Sequence, residues 1–367
     1  MEPPVPPHQT PPLLQGWRHH LGLAALFVVS GAAGWLFQTL GAPLPWMIGP
    51  LVLTAGIFMG ASPRVRVPNK LRPVGQIVVA TQVGLAFTHD ALDMLAELAP
   101  VIVGAALATG VCIFVVAVLL ARFTGQSLAQ AFLCCVTTSP VEAAAMAISA
   151  GVNPMPVILS QTLRLSAVVV ILPFGLYAIE GWPAGQRAPV TLSAIDPVHI
   201  VLLASTGIIS AGIFRGLRIP NPNFLGPITA GALLSVSGYG PLPYPALILA
   251  LAQIVLGTWL GATFRRDFIT SALRLTLASV AASLVLVVLC ALSAIGIAIL
   301  SGVDWKTLVL GAAPGGVTEM ALTAKFLGQN VVLITTFHLV RIFIFMPNIP
   351  WIVRLIARRE QRSQEKA

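Results

Sequence analysis

The chain has 367 residues, of which 57% are hydrophobic and 9% are charged, and its mean hydropathy is +0.91. Soluble domains carry about a quarter charged residues, so this composition excludes a soluble globular protein and predicts a chain embedded in a lipid bilayer. The net charge of +9 does not indicate nucleic-acid binding, because the Lys and Arg residues lie in short loops and at the C-terminus, as membrane topology requires.

The N-terminal segment, residues 1–19, is Pro-rich and has no apolar periodicity, so we expect a disordered tail. The first apolar run, from Leu21 to Leu40, is too long for a cleaved signal peptide, and we expect it to be inserted uncleaved. The four cysteines lie within apolar segments without CxxC or metal-site spacing, and we interpret them as small core residues.

An internal duplication covers nearly the whole chain. A single ungapped offset of 319 − 142 = 177 residues relates Glu142 to Glu319 and Arg164 to Arg341, together with many Gly and Pro positions. Such register over half a protein is typical of an internal repeat. We therefore predict membrane repeats at residues 20–180 and 197–357, a linker at 181–196, and a basic cytoplasmic tail at 358–367.

Hydropathy divides each repeat into six apolar elements. In the first repeat they lie at about residues 21–40, 46–61, 73–88, 98–121, 127–151 and 154–179. The fifth element is interrupted in its middle by Thr-Thr-Ser-Pro, residues 137–140. Pro, Gly and hydroxyl residues at this point predict a broken helix.

Positive charges alternate out of phase between the repeats. Residues 64–72 of the first repeat carry four Lys or Arg residues, whereas their counterparts around 239–245 carry none; Arg215, Arg265 and Arg266 show the reverse pattern. Since Lys and Arg mark cytoplasmic loops, the repeats are predicted to have opposite orientations, which requires an odd number of crossings in each. We expect an all-α polytopic membrane protein with about ten transmembrane helices, two re-entrant or broken helices and both termini in the cytoplasm. A different odd partition would satisfy the same charges.

Glu142 has a structural and a functional interpretation. Ser139, Pro140 and Glu142 have the spacing of a capping box, and the second copy, with Gly316 before Glu319, is a weaker version without the hydroxyl. A carboxylate inside a bilayer costs about 2.5–3.5 kcal/mol. We therefore expect both carboxylates to bind a proton or a coupling cation as well as to cap their helices.

Arg164 and Arg341 lie about ten residues inside the last apolar element of each repeat. Either they form ion pairs with the glutamates or they anchor an anionic substrate, because the guanidinium fork matches a carboxylate. The free amides at the start of each second half-helix would face the same anion. Gly315 and Gly316 allow close backbone approach, and the first copy offers the hydroxyls of Thr138 and Ser139 instead.

His338 occurs only in the second repeat, where the first has Gln161. It is a candidate for proton coupling, and the alternative is a helix–helix hydrogen bond. The sequence contains no catalytic triad, phosphate-binding loop or metal-ligand cluster, so we predict no enzymatic activity, no metal and no cofactor apart from H⁺ or Na⁺ coupling.

Two motifs, GAPLPWMIGPLVLTAG at residues 41–56 and GAAPGGVTEMALTA at 311–324, together with the duplication, resemble the bacterial AbrB-type membrane family. That family is also labelled a putative ammonia monooxygenase or a regulator of aidB expression. The resemblance implies a multi-pass inner-membrane protein usually classed as a transporter. Oxygen chemistry would need a copper, iron or flavin site, and the sequence offers no ligand set for one.

We therefore predict a secondary transporter of a small organic anion or a similar polar metabolite. Substrate would bind between the two broken helices, with Arg164 and Arg341 as anchors and Glu142 and Glu319 as coupling carboxylates. The alternative is a membrane sensor or regulatory protein that uses the same pocket without net transport. Homo-oligomerisation stays open.

Overall fold

The computed structural model describes residues 12–61, 65–180, 196–238, 243–264 and 273–364, and within these ranges it contains sixteen helices and no strand. The helices of the first half are α1 (Pro12–Thr39), α2 (Pro45–Gly60), α3 (Leu71–Gly84), α4 (His89–Glu97), α5 (Ala99–Thr124), α6 (Leu128–Cys135), α7 (Pro140–Ser149) and α8 (Pro154–Glu180). The helices of the second half are α9 (Pro197–Gly216), α10 (Pro222–Val236), α11 (Ala246–Gly261), α12 (Leu273–Ser301), α13 (Trp305–Ala312), α14 (Val317–Phe326), α15 (Val331–Phe345) and α16 (Ile349–Gln364).

Several of these helices are suited to lipid. Five are long and apolar enough to cross a bilayer, within α1, α5, α8, α9 and α12, and α15 with α16 forms a sixth candidate bent by 49°. Large apolar side chains point outward, including Val28 at 72%, Ile299 at 79% and Leu300 at 88% exposure. A water-soluble monomer does not expose so much apolar surface. The protein is therefore a polytopic helical membrane protein, as the composition predicts.

The second and third elements of each repeat are short. α2 has 16 residues and α3 has 14, which at 1.5 Å per residue gives about 24 Å and 21 Å. The hydrocarbon core is about 30 Å thick. The count of ten crossing helices includes these elements and their counterparts, and it stays a prediction.

The helices pack in two groups. The first group contains α1–α3 and α9–α11. By the 177-residue offset α10 is the counterpart of α2 and α11 is the counterpart of α3, so the packing of α2 on α11 is equivalent to the packing of α10 on α3. The second group contains α5–α8 and α12–α16, with α5 against α12 at its centre. Two buried apolar clusters lie wholly within the second group. A third cluster joins the groups, where Leu165, Val169 and Val317 meet residues of α2 and α3.

Matching glycines allow the first group to pack closely. A Cβ on Gly49 of α2 would lie 2.6 Å from the carbonyl oxygen of Ala33, and a Cβ on Gly226 of α10 would lie 2.5 Å from that of Ser210. Both distances are below van der Waals contact, so the helix backbones touch at these points. Gly49 and Gly226 are related by the 177-residue offset, as are Ala33 and Ser210. The duplicated sequence positions thus make duplicated contacts.

Each interrupted element consists of two short helices, α6 and α7 around residues 136–139, and α13 and α14 around residues 313–316. The two halves pack with the beginning of the helix that follows them. Phe132 and Ala143 share one cluster with Val157, and Leu310 and Met320 share another with Ile334. Packing of both halves on the same part of the next helix favours a re-entrant hairpin.

The ends of the chain differ from the expectation. The predicted disordered tail at residues 1–19 is wrong for residues 12–19, which form the beginning of α1. Pro is favoured in the first turn of a helix, and Leu13 and Leu14 are good helix formers.

At the other end, residues 358–364 of the predicted basic tail continue α16. The Glu360 carboxylate accepts a hydrogen bond of 2.6 Å from the Leu128 amide and ties α16 to α6.

Several positions used in the topology argument lie outside the described residues. They are residues 1–11, Arg64, residues 181–195, Arg265, Arg266 and residues 365–367.

The short helix α4 was not predicted from the sequence. Its first turn is capped by the Thr88 hydroxyl, which accepts from the Ala91 amide at 3.3 Å.

Candidate functional site

A buried arginine closes the end of the first half-helix α6. Nη1 of Arg164 donates to the carbonyl oxygens of Cys135 and Val136, both at 2.9 Å, and Nη2 donates to Oε1 of Gln161 at 2.6 Å. Nε2 of Gln161 in turn donates to the carbonyl of Leu133 at 2.7 Å. Arg164 is only 1% exposed, so this network is sealed inside the second group of helices.

The second half of the chain repeats the network with a histidine in place of the glutamine. Arg341 donates through Nη1 to the carbonyl of Ala313 at 2.6 Å, and through Nη2 to the carbonyl of Gly315 at 3.0 Å and to Nδ1 of His338 at 2.9 Å. Nε2 of His338 lies 3.0 Å from the carbonyl of Leu310. A carbonyl only accepts and a guanidinium only donates, so His338 is the neutral tautomer with its proton on Nε2.

These arginines solve a problem that every broken helix in lipid has. The last carbonyls of a half-helix have no partner in the helix itself, and unpaired carbonyls are costly in hydrocarbon. A guanidinium offers several donors and places a positive charge at the negative end of the helix dipole. Arg164 and Arg341 therefore hold the breaks in shape. The sequence analysis expected a structural role only through ion pairs with the glutamates, and neither arginine forms an ion pair with a described residue.

The second half-helix α7 begins with the capping box predicted from sequence. Oγ of Ser139 accepts from the Glu142 amide at 3.3 Å, and Oε2 of Glu142 accepts from the Ser139 amide at 3.3 Å. Thr138 adds a hydrogen bond of 2.9 Å from its hydroxyl to the same carboxylate oxygen. The capping interpretation is confirmed, and Glu142 is half-buried with its carboxylate held by its own loop.

The corresponding start of α14 lacks these donors. Gly316 occupies the N-cap position, and no side-chain cap hydrogen bond forms there. The Glu319 carboxylate lies directly against Gly316, in the space that a Cβ would fill. Glu319 is half-buried, and its carboxylate has no ion pair and no hydrogen bond with any other residue that the structure describes; only its own backbone amide and the charge of Arg72 act on it. The two equivalent glutamates are thus in different states.

A single cavity of about 420 Å³ contains both breaks. The second group of helices contributes Thr138, Ser139, Glu142, Gly315, Gly316, Glu319 and Arg341. The first group contributes Asn69, Arg72 and Gln76 near the start of α3, Asn221 and Asn223 at the start of α10, and Trp259 of α11. The cavity therefore lies between the two groups and is lined by polar groups from both.

Seven of the nine residues proposed from sequence meet in this cavity. The other two, Arg164 and His338, are not among its lining residues, because their polar atoms are directed to the carbonyls of α6 and α13. Their assignment to substrate binding and proton coupling therefore has no support from their positions. His338 makes the helix–helix hydrogen bond that was its alternative interpretation.

Sequence reasoning missed the wall formed by the first group. The guanidinium carbon of Arg72 lies 4.6 Å from the centroid of the Trp259 ring, and Nε1 of Trp259 donates to Oδ1 of Asn69 at 3.1 Å. Arg72 had been explained as a cytoplasmic loop charge. Trp259 is 187 positions further along the chain, so no local pattern could have joined them. The one available signal was that Arg72 lies four residues before Gln76 and Trp259 lies six residues after Gln253, the counterpart of Gln76 at the 177-residue offset.

Among the described residues, no group of three or more His, Cys, Asp or Glu side chains is arranged to hold a metal ion. The ionic side chains that reach the cavity are Arg72, Glu142, Glu319 and Arg341. Their chemistry suits charged or hydrogen-bonding groups of an organic molecule, or a proton or monovalent cation at the carboxylates.

Residues 53–357 match the family model described as transition state regulatory protein AbrB. The chain is also 25% identical over 370 residues to the uncharacterized protein YhjN of Bacillus subtilis strain 168, covering 92% of this chain and 94% of the relative. It is 25% identical over 333 residues to the putative regulator AbrB of Escherichia coli strain K12, covering 88% of this chain and 92% of the relative.

Proposed function

The chain belongs to the AbrB family whose model covers residues 53–357, and we propose that it is a secondary transporter of a small organic anion or similar polar metabolite. It would act by alternating access across the bacterial inner membrane, with both termini in the cytoplasm. The observation that carries the proposal is the polar cavity of about 420 Å³ between two groups of membrane helices.

The position of the cavity supports movement of one helix group against the other. Each of the two groups is held together by its own extensive helix packing, whereas few helix pairs join them. Around the cavity, polar residues of α3, α10 and α11 face the breaks α6–α7 and α13–α14. A substrate bound there contacts both groups, and a relative shift would expose it to either side of the membrane in turn.

The broken helices fit this role because they bring polar backbone to the depth of the membrane without exposing it to lipid. Discontinuous helices around a midplane site are a feature of transporters with inverted repeats. In this proposal the two repeats have opposite orientations, which the alternating Lys and Arg pattern of the loops supports. The contacts α2–α11 and α10–α3 are equivalent by the 177-residue offset, and such matching contacts are what a pseudo-twofold arrangement requires.

Within the site, the proposed roles depend on which polar atoms are still free. Glu319 is the coupling carboxylate, since Glu142 already accepts two hydrogen bonds from its own loop. Arg341 lines the cavity, but its Nη groups already donate to the carbonyls of Ala313 and Gly315. Its proposed role is therefore to fix the conformation of the break and not to bind the substrate. Arg164 does not line the cavity, and it stabilises the break between α6 and α7 by donating to the carbonyls of Cys135 and Val136.

Uptake by the purified full chain in proteoliposomes tests the proposal. Labelled organic acids, amino acids and other small polar metabolites are screened for accumulation driven by a proton or sodium gradient, against protein-free vesicles. Glu319→Gln is expected to abolish accumulation, and Glu97→Gln, an exposed residue of α4, serves as the matched control. Accumulation by the wild type that Glu319→Gln leaves unchanged would exclude this site.

A second candidate function is a membrane sensor without net flux. The relative from Escherichia coli is named a putative regulator, and this name favours a regulatory role. A sensor would bind its ligand in the same cavity, so binding does not separate the candidates. Accumulation in proteoliposomes separates them, because a sensor binds the ligand and leaves its concentration inside the vesicle unchanged.

A further inference from the structure

The four ionic side chains of the cavity divide into two that are hydrogen-bonded to other protein groups, with only Nε of Arg341 left without a partner, and two that are not. Glu142 accepts from Thr138 and Ser139, and Arg341 donates to two carbonyls of residues 313–316 and to His338. Arg72 and Glu319 form no ion pair, and neither side chain is hydrogen-bonded to another described residue, although the charge of Arg72 acts on Glu319 across the cavity. The site therefore presents one unpaired cation and one unpaired anion.

Arg72 is prepared to receive a carboxylate. Its guanidinium carbon lies over the Trp259 ring, 4.6 Å from the centroid, and the ring is fixed by its own hydrogen bond to Asn69. This cation–π contact holds the guanidinium at the cavity wall, and its N–H groups have no hydrogen-bond partner among the described residues. A planar fork of this kind matches the two oxygens of a carboxylate, and it is less strongly hydrated than an ammonium.

Glu319 is prepared to receive a cation. Its carboxylate rests on Gly316 at the start of α14, in a half-buried position. An ionised group withdrawn from water is stable only when it is paired or hydrogen-bonded. Arg72 acts on this carboxylate electrostatically without forming an ion pair with it, and both side chains line the same cavity.

The wall between these charges is polar and the cavity is small. Gln76 is 4% exposed, lines the cavity and has no hydrogen-bond partner among the described residues. A volume of about 420 Å³ lies in the lower part of the range for small-molecule sites. Building on the proposed function, we propose that the ligand is a small zwitterion whose carboxylate binds Arg72 and Gln76 and whose ammonium binds Glu319.

The test compares sets of three molecules that differ in which charged groups they carry. Each set contains an amino acid, the carboxylic acid that lacks its amino group and the amine that lacks its carboxyl group, for example alanine, propionate and ethylamine. The sets cover the α-amino acids, β-alanine and γ-aminobutyrate, and binding to the full chain in detergent is measured by calorimetry. At least one zwitterion should bind about tenfold or more tightly than both of its partners.

Two substitutions assign the two charges. Arg72→Gln should make that zwitterion bind no better than its amine, and Glu319→Gln should make it bind no better than its carboxylic acid. Arg72→Lys, which keeps the charge and loses the fork, keeps part of the preference and shows that the site is folded. Gln76→Leu should weaken binding of that zwitterion, because Gln76 is proposed to bind its carboxylate. Gln253→Leu is the matched control and should not weaken it, because Gln253 is the repeat counterpart of Gln76 and is not among the residues that line the cavity.

Each outcome decides the proposal. If no zwitterion in the sets is preferred to both partners, the zwitterion proposal is overturned. If a carboxylic acid binds as tightly as its amino acid and more tightly at low pH, Glu319 takes a proton and the ligand is a simple anion. That result would overturn the zwitterion proposal and would leave the transport proposal intact. A zwitterion that binds as expected without accumulating in proteoliposomes leaves the ligand class intact and removes the transporter.

Discussion

The two breaks are alike on the side where the first half-helix ends and different on the side where the second begins. Arg164 with Gln161 and Arg341 with His338 close the ends of α6 and α13 through matching hydrogen bonds, to the equivalent carbonyls of Val136 and Ala313 and between the two side chains of each pair. The start of α7 is fully capped, whereas the start of α14 leaves Glu319 unpaired. The two copies therefore share the arginine networks that stabilise the breaks, and they differ at the starts of α7 and α14, where the glutamates line the cavity.

The largest expected effect is a loss of stability when one of the two arginines that close the half-helices α6 and α13 is removed. Arg164→Met leaves the carbonyl of Cys135 unpaired inside the protein and removes the charged donors to Val136 and Gln161, although Val136 still accepts from Gln161 and Thr138. Hydrogen bonds to a charged group contribute about 1.5–3 kcal/mol each. We expect a loss of roughly 3 kcal/mol or more, measured by unfolding of the purified protein in detergent. Arg341→Met should lose a similar amount. Arg354→Ala, an exposed position on α16, is the control, and a neutral result at one arginine would show that the ends differ after all.

The next effect separates the glutamates by activity. Glu319→Gln should lower the rate of uptake about a hundredfold, the equivalent of a charged hydrogen bond of about 3 kcal/mol at the upper end of the usual range. Glu142→Gln should lower it about tenfold or less, since that carboxylate is held by Thr138 and Ser139. Equal losses measured in parallel proteoliposome assays would contradict the distinction between a capped and a free carboxylate.

The sequence predicted the breaks and the equivalence of their residues, because Pro, Gly and hydroxyl residues act locally on helices. The capping box at Ser139 followed from spacing alone for the same reason. The partners of Arg164 could not be predicted, since they are backbone carbonyls about 28 positions away that carry no sequence signal. The same holds for Arg72 and Trp259, whose contact depends on packing between α3 and α11.

A third prediction gives the second break the chemistry of the first. In Gly316→Ser the new Cβ takes the space of the Glu319 carboxylate, and the hydroxyl can cap α14. Stability should rise by a few tenths of a kcal/mol, as is typical when Ser replaces Gly at an N-cap. Uptake should fall roughly tenfold because the carboxylate is displaced or tied, a loss near 1.4 kcal/mol. Gly296→Ser, where a Cβ meets open space, is the control, and undiminished uptake by Gly316→Ser would show that Glu319 need not be free.

The reverse change loosens the first break. Thr138→Val removes the 2.9 Å hydrogen bond to Glu142 and leaves the Ser139 amide as a donor to that carboxylate. One side-chain hydrogen bond contributes about 1 kcal/mol, so a loss of that size is expected in the unfolding measurement. Uptake should change by a factor of about three or less. A collapse of uptake would mean that the cavity needs a fixed Glu142 as much as a free Glu319.

The smallest effect is expected from His338→Gln, which copies the first repeat into the second. Gln161 donates through Nε2 to a carbonyl of α6 and accepts from Arg164 through Oε1. His338 donates through Nε2 to Leu310 and accepts from Arg341 through Nδ1. Since glutamine supplies the same donor and acceptor, stability should change by about 0.5 kcal/mol or less, within the range of a replaced hydrogen bond. The pH profile of uptake should keep its shape, because a neutral histidine directed away from the cavity has no proton to exchange with the ligand. A profile that loses one ionisation in His338→Gln would restore the coupling role predicted from sequence and would make the two arginine networks functionally unequal.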